Sequence, residues 1–488
     1  MQSIVIVNNP KDFAFDLDGV EIVAAKSYLI EEKYAELRNV RIYNLCKSYR
    51  YQSIGYYVSL LAEARGHRVF PNITTIQDIK SQTIMRIISD DIDEIIQKCL
   101  EKIKSKTFDL SIYFGKNVAK HYDNLSKQLF NLFQAPLLRA TFVHHKKWIL
   151  QNINPIPINE IPKHHSPYIA EFARQYFAKK HIRTIKKENS IFDLAILINP
   201  FEGKSAPSNK KALQKFVAAA ESIGFSTQMI TKDDFSRVPE FDVLFIRETT
   251  SVNHHTYRFS RRAYAEGLVV VDDPVSIVKC TNKVYLSEIL TKAKIPTPKT
   301  MIIHKYNCHI VAETLGLPCV LKQPDSSFSQ GVIKVDNVKE LNLQIESLLT
   351  HSELIIAQEF TPTEFDWRIG VLDGKPLFAA KYFMVKNHWQ IYDWNGEKNP
   401  KIGGTEAIAI EAVPAQIINI AVKSTSLIGN GFYGVDIKEI NKRNLVIEIN
   451  DNPSIDHGLE DAVLKDDLYL SVVNSLMNRV QISKMRKN

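Results

Sequence analysis

Between Ile191 and Pro274, short apolar runs alternate with helical patterns, and few folds accept that order. LAILINP reads as a strand, Lys210 to Ser222 as a helix closed by Gly224, and FSTQMI as the next strand. FDVLFIRE follows as a strand, His254 to Ala265 as a helix ended by Gly267, and LVVVDDP as another strand. This βαβαβ order predicts a small parallel sheet with helices on its faces. Asp272-Asp273-Pro274 breaks the pattern, and Ser276 to Ala293 reads as one further helix.

The preceding residues, 1 to about 185, mix strands and helices in a separate α/β domain. VRIYNLC (Val40 to Cys46) reads as a strand, followed by the aromatic and basic loop KSYRYQS and a helix over Gly55 to Gly66. HRVFP and FDLSIYFG (Phe108 to Gly115) read as strands, and Val118 to Phe133 and Pro167 to Lys180 as helices. The polar stretch HIRTIKKENS (181–190) is the best linker candidate. The predicted division is therefore 1–185, 186–272 and 273–485.

Composition narrows the function classes. The chain has 488 residues, 45% hydrophobic and 24% charged, which excludes a collagen-like or globally disordered polypeptide. A net charge of +8 permits an anionic ligand without requiring one. The five cysteines are odd in number and form no CxxC pair, so no disulfide framework or zinc site follows from them, and a reducing cytoplasm is expected. No signal peptide or membrane-spanning run is expected, and no basic stripe with interleaved aromatics points to nucleic acid. Eleven of the 18 glycines fall after residue 272, where the backbone must bend sharply or admit a ligand.

Three stretches in that last part place charged groups inside apolar strands. In PCVLKQP, Lys322 shares a face with Val320, and a buried ammonium there needs an anion or an open cleft. Asp325 to Val332 follows, a small polar loop that reads either as a phosphate cradle or as a surface hairpin. In LIIAQEFTPTEFDWRIG, period two puts Glu364, Asp366 and Arg368 on one strand face, either in a site or exposed to water.

The third stretch is Gly431 to Asn452, a β-hairpin about the polar turn Ile440 to Asn444. A turn centred on Lys442 sets Asp436 opposite Glu448. Two carboxylates at about 5 Å repel each other. A divalent cation resolves the conflict, with Asn450 adding a third oxygen on the same face, and all-oxygen ligation favours magnesium over zinc. The plainer reading is a half-exposed hairpin whose carboxylates meet Lys438 or water.

Together these residues resemble the ATP-grasp superfamily, and within it the RimK-like carboxylate–amine ligases, over about residues 191–480. The likeness opens with Asp273-Pro-x-Ser-Ile-x-x-Cys280-x-Asn282-Lys283 and Ile295-Pro-Thr-Pro-Lys-Thr300. It implies an ATP-grasp fold behind a small Rossmann-like βαβ domain, in an α/β and α+β multidomain chain. It assigns Lys283 and Lys322 to the nucleotide phosphates and the loop with Ser326, Ser327, Ser329, Gln330 and Gly331 to their closure. Gln358, Glu359 and Phe360 fall at the adenine hinge, Asp366 at the ribose, and Asp436, Glu448 and Asn450 at the metal. Where RimK is arginine-rich, this chain reads Ala380-Lys381-Tyr-Phe-Met-Val, which leaves Arg368 or Lys381 to steady the acylphosphate. Residues 1–185 resemble the N-terminal domain of longer RimK-like proteins at Arg41 to Cys46 and Tyr51 to His67. Within that region Lys47, Tyr49, Arg50 and Tyr51 either grip an acidic or aromatic partner or simply pack.

The resemblance implies ATP, magnesium (or manganese), an amino acid, and a carboxylate on a small molecule, peptide or protein tail, joined through an acylphosphate. Ligases of this branch are often homo-oligomers. The rival reading is a nucleotide-binding regulatory module without ligase activity.

Overall fold

The structure is a computed structural model describing residues 2–13, 15, 17–38, 40–81, 85, 92–181, 190–325, 331–393 and 401–485. The chain divides into two compact units, Met1–Lys187 and Glu188–Asn488.

The first unit holds a parallel sheet and an antiparallel one. Gln2–Val7 lies between Val20–Ala24 and Val40–Asn44, with Arg68–Phe70 at the edge. Thr107–Tyr113, Leu137–His144 and Trp148–Pro155 form the antiparallel sheet. Its last two strands were not legible in the sequence reading. The helix expected over 118–133 is shorter, Asp123–Leu132. In the KSYRYQS loop, Tyr49 packs inward and donates its hydroxyl to Asn44 O, whereas Tyr51 is exposed. The proposed linker falls almost wholly outside the described residues.

The second unit begins with the expected parallel sheet, in the spatial order Val269–Val271, Val243–Ile246, Phe192–Leu197, Phe225–Ile230. Its central strands are buried on both faces. Leu194 and Ile196 face one core with Phe216 and the C-terminal helix, through Tyr469 and Val473. Ala195 and Leu197 face the other, with Phe259 and Ile277. Alternation along the strand divides the residues between these layers. The helix expected over Ser276 to Ala293 is two, Pro274–Thr281 and Lys283–Lys292. Asn282 leaves helical geometry between them, and its side chain accepts the Tyr285 N–H as an N-cap.

Two antiparallel sheets follow. One orders Thr300–Ile303, Ile355–Glu359, Cys319–Lys322 and Val332–Val335. The other orders Thr405–Ile408, Lys375–Phe383, Phe365–Leu372, Phe432–Ile440 and Arg443–Asn450. Among the described residues, no helix is long and apolar enough to cross a membrane.

Candidate active site

A cleft of about 260 Å³ is lined by both antiparallel sheets and by the loop after Val243–Ile246. Its charged face comes from the hairpin Phe432–Ile440 and Arg443–Asn450, predicted over Gly431 to Asn452. The hairpin reaches the expected pairing by an unexpected route. The turn is a tight two-residue one, with Asn441 and Lys442 at φ values of 50° and 63°. That is the primed geometry that matches strand twist. It pairs Ile440 with Arg443, one residue off the assumed register. A bulge beyond Ile437 and Val446 then restores it, so Asp436 lies opposite Glu448 and Gly434 opposite Asn450. The bulge also turns Ile447 onto the cleft wall while Val446 enters the core.

Each hairpin carboxylate meets a cation from a different strand or helix. The Arg368 guanidinium grips Asp436 with Nε on Oδ1 and Nη2 2.8 Å from Oδ2. Burial drives the Asp436 carboxyl above its ordinary range, against the pull of Arg368. Lys283 Nζ lies 3.0 Å from Glu448 Oε1. Burial pushes the Glu448 carboxyl up, but Lys283 and Lys322 outweigh it and hold it low. Asn450 Nδ2 is 3.3 Å from Asp436 Oδ2, which brings all three proposed metal ligands together. Gly434 is required here: a Cβ on it would sit 2.9 Å from Pro453 Cβ and 3.1 Å from Arg368 Cδ.

The facing sheet supplies Lys322. Its Nζ donates to Gln358 Oε1 at 2.8 Å, and Gln358 Nε2 donates to Thr300 Oγ1 at 2.9 Å. Burial pulls the Lys322 ammonium down to about 8. The Gln358 side chain therefore points into the charged part of the cleft rather than only standing at a hinge. Glu359 accepts from the Lys299 backbone N–H and from Arg443, and Phe360 packs edge-on to Trp389 with centroids 5.8 Å apart. Asp366 Oδ1 accepts from Thr363 and from Lys438 Nζ, both within 2.9 Å. Lys438, weighed as a partner for the hairpin carboxylates, thus serves Asp366 instead. Glu364 precedes the Phe365–Leu372 strand, is exposed, and does not line the cleft.

One expectation is corrected. Lys381 pairs with Trp367 and so points to the opposite face of the sheet from Arg368, Asp436 and Tyr382. Its Nζ lies over the Phe365 and Trp367 rings, at 4.7 and 5.2 Å. Lys381 cannot reach a reacting group in the cleft. Ser326, Ser327, Ser329 and Gln330 lie outside the described residues. Gly331, at φ +66°, closes the loop base through its carbonyl, which accepts from Gln323 N at 3.0 Å.

Several residues in and behind the cleft carry no sequence signal. Arg247 is fully buried and donates to Pro207 O, Ser208, Asn452 Oδ1 and Pro453 O, tying the parallel sheet to the segment after the hairpin. Asp451 is buried in the lining with Oδ2 lacking a hydrogen bond, and burial raises its carboxyl to about 7. Tyr382 donates to the buried Glu460. Arg247 and Asn452 are 205 residues apart in sequence, too far for local spacing to reveal.

Residues 25–172 match the family described as the RimK-like ATP-grasp N-terminal domain, and residues 280–467 match the RimK-like ATP-grasp domain. An α-aminoadipate–LysW ligase, LysX, of Saccharolobus solfataricus is 29% identical over 52% of this chain and 89% of its own. A probable α-L-glutamate ligase of Syntrophotalea carbinolica is 26% identical over 46% of this chain and 73% of its own. Among solved structures, D-alanine–D-alanine ligase from Bacillus anthracis covers 61% of this chain and 100% of its own, at 15% identity and a TM-score of 0.46. The chain belongs to the RimK-like ATP-grasp family of ATP-dependent carboxylate–amine ligases.

Proposed function

We propose that the cleft joins an acidic amino acid to a second substrate, a small molecule or a peptide or protein tail, through an acylphosphate. The observation that supports it is the cluster of two carboxylates, an amide and three cations formed by Asp436, Glu448, Asn450, Lys283, Lys322 and Arg368 on two facing sheets and a helix start. The named relatives act on α-aminoadipate or L-glutamate, which motivates the choice of a dicarboxylic amino acid. We assign residues 1–185, 186–272 and 273–485 to an N-terminal, a pre-grasp and a grasp domain.

Asp436, Glu448 and Asn450 fit a hard divalent cation. They are three oxygen-bearing side chains on two paired strands, with like charges directly opposed and a buried Asp451 oxygen beside them without a hydrogen bond. When bound, magnesium or manganese supplies charge neutralisation between phosphate oxygens.

The residues of the chain do the rest. Lys283 and Lys322 take charge from the nucleotide phosphates as the γ-phosphoryl group passes to the substrate carboxylate, forming a P–O bond and releasing ADP. Arg368 steadies the acylphosphate oxygens. The amine nitrogen then attacks the acyl carbon, the C–O bond to phosphate breaks, and the amine loses a proton. Such a site needs positioned charge more than a protein nucleophile. Asp366 and the Phe360–Trp389 pair are assigned to the ribose and adenine.

The experiment is mass spectrometry of a cell extract incubated with ATP, with and without the protein. The reading expects a mass increase equal to an amino acid residue, dependent on ATP. Tight ATP binding with no product across broad screens of amines and carboxylates would favour a regulatory nucleotide-binding module.

A further inference from the structure

Glu248, His254 and His255 lie outside every role assigned above, yet their ligand atoms all fall within 4.8 Å of one another. Glu248 stands two residues beyond the Val243–Ile246 strand, and the two histidines begin the His255–Ala265 helix. The carboxylate is 1% exposed, and neither of its oxygens makes a hydrogen bond. His255 Nε2 approaches Oε1 to 2.8 Å, but it too makes no hydrogen bond. Two polar atoms thus face each other closely without donor and acceptor alignment.

Burying a carboxylate whose close partner is a histidine nitrogen without a hydrogen bond is costly. Arg247, the adjacent cation, makes no hydrogen bond to it and directs its guanidinium to Pro207, Ser208, Asn452 and Pro453. One His254 tautomer satisfies both contacts of the Thr256 hydroxyl, which then donates to Thr249 O at 3.4 Å and accepts from His254 Nδ1 at 3.0 Å. In that tautomer the other ring nitrogen, Nε2, is free of its proton. A metal-ligating histidine is commonly fixed in this way through its other nitrogen.

We propose that Glu248, His254 and His255 form a binding site for a borderline-soft divalent cation of the zinc class. Two imidazoles and one carboxylate suit zinc, with a fourth position left to water. They contrast with the all-oxygen set at Asp436, Glu448 and Asn450, which suits magnesium. The bound ion ties a strand end to a helix start and braces Thr249, Thr250 and Ser251, which line the cleft.

The test titrates the metal-free full chain with Co²⁺ in excess Mg²⁺, following visible absorption. The expected result is one Co²⁺ per chain with a four-coordinate spectrum, about 100-fold weaker in Glu248→Gln and in His255→Ala, and unchanged in Asp436→Ala. Zn²⁺ should displace Co²⁺ and raise the melting temperature of the wild-type chain. Glu248→Gln is nearly isosteric, so it carries the test if His255→Ala does not fold. The wild-type measurements need no variant. No stoichiometric Co²⁺ binding, or a signal lost in Asp436→Ala and kept in Glu248→Gln, overturns the proposal. Because the readout is binding, its failure is independent of whether ligation occurs.

Discussion

Replacing Arg368 by methionine should expose how the cleft balances its charges. Arg368 and Asp436 are each only 11% exposed at the side chain and share a two-point contact. Removing one partner of a buried pair leaves the other uncompensated, at a cost of about 3–5 kcal/mol. The neighbours point the same way. Asp436 already feels Glu448 and Asp366, and a paired carboxylate about 5 Å away repels by roughly 3 kcal/mol at an effective dielectric of about 20. Urea denaturation of the wild type, Arg368→Met, Asp436→Asn and the double variant measures this. The double variant should recover much of the loss, giving a coupling of about 2–3 kcal/mol.

The pH dependence has a definite sign. Without Arg368 the folded Asp436 carboxyl rises further above its unfolded value of about 3.9. Below that value it is protonated in both states and carries no penalty. As pH rises, the unfolded chain ionises first, so the deficit of Arg368→Met relative to wild type should grow and then level off. A cost below about 1 kcal/mol, the range of exposed pairs, with additive single effects, would refute the buried-pair account.

Three further outcomes are expected. The Lys322 ammonium is held down to about 8, so its charge is present below that pH and lost above it. ATP affinity should therefore weaken by up to about tenfold per pH unit beyond 8, and Lys322→Arg should flatten the profile in calorimetric titrations. Lys381→Ala should retain ligase activity and cost about 0.5–1 kcal/mol in melting experiments, the value of its contacts with the Phe365 and Trp367 rings. A large loss of turnover would return Lys381 to the reaction. Tyr382→Phe removes the donor to buried Glu460, and should destabilise the fold by about 1–3 kcal/mol, measured by urea denaturation.

Much of the architecture could be read from local pattern. The parallel sheet followed from apolar runs alternating with helical periodicity, and the hairpin carboxylates from strand parity. The hairpin also shows the limit of that reasoning. A two-residue turn and a bulge shift the pairing in opposite directions, and only their cancellation puts Asp436 opposite Glu448. Sequence neighbourhood alone does not tell which face Lys381 occupies, because the register with Trp367 decides it. Ser276 to Ala293 looked like one helix because Asn282 is compatible with helical spacing, yet its side chain caps the second one. Arg247, Asp451 and the Tyr382–Glu460 pair depend on contacts between distant segments, so no spacing rule could reach them.

The most direct measurement of the central claim is amine-dependent ADP release from ATP, comparing wild type with Asp436→Ala at a temperature where both are folded. Supplying glutamate or α-aminoadipate with candidate acceptors, the account predicts substrate-dependent release by the wild type and a loss of at least about 100-fold in the variant. Equal substrate-dependent release by the two proteins would contradict it.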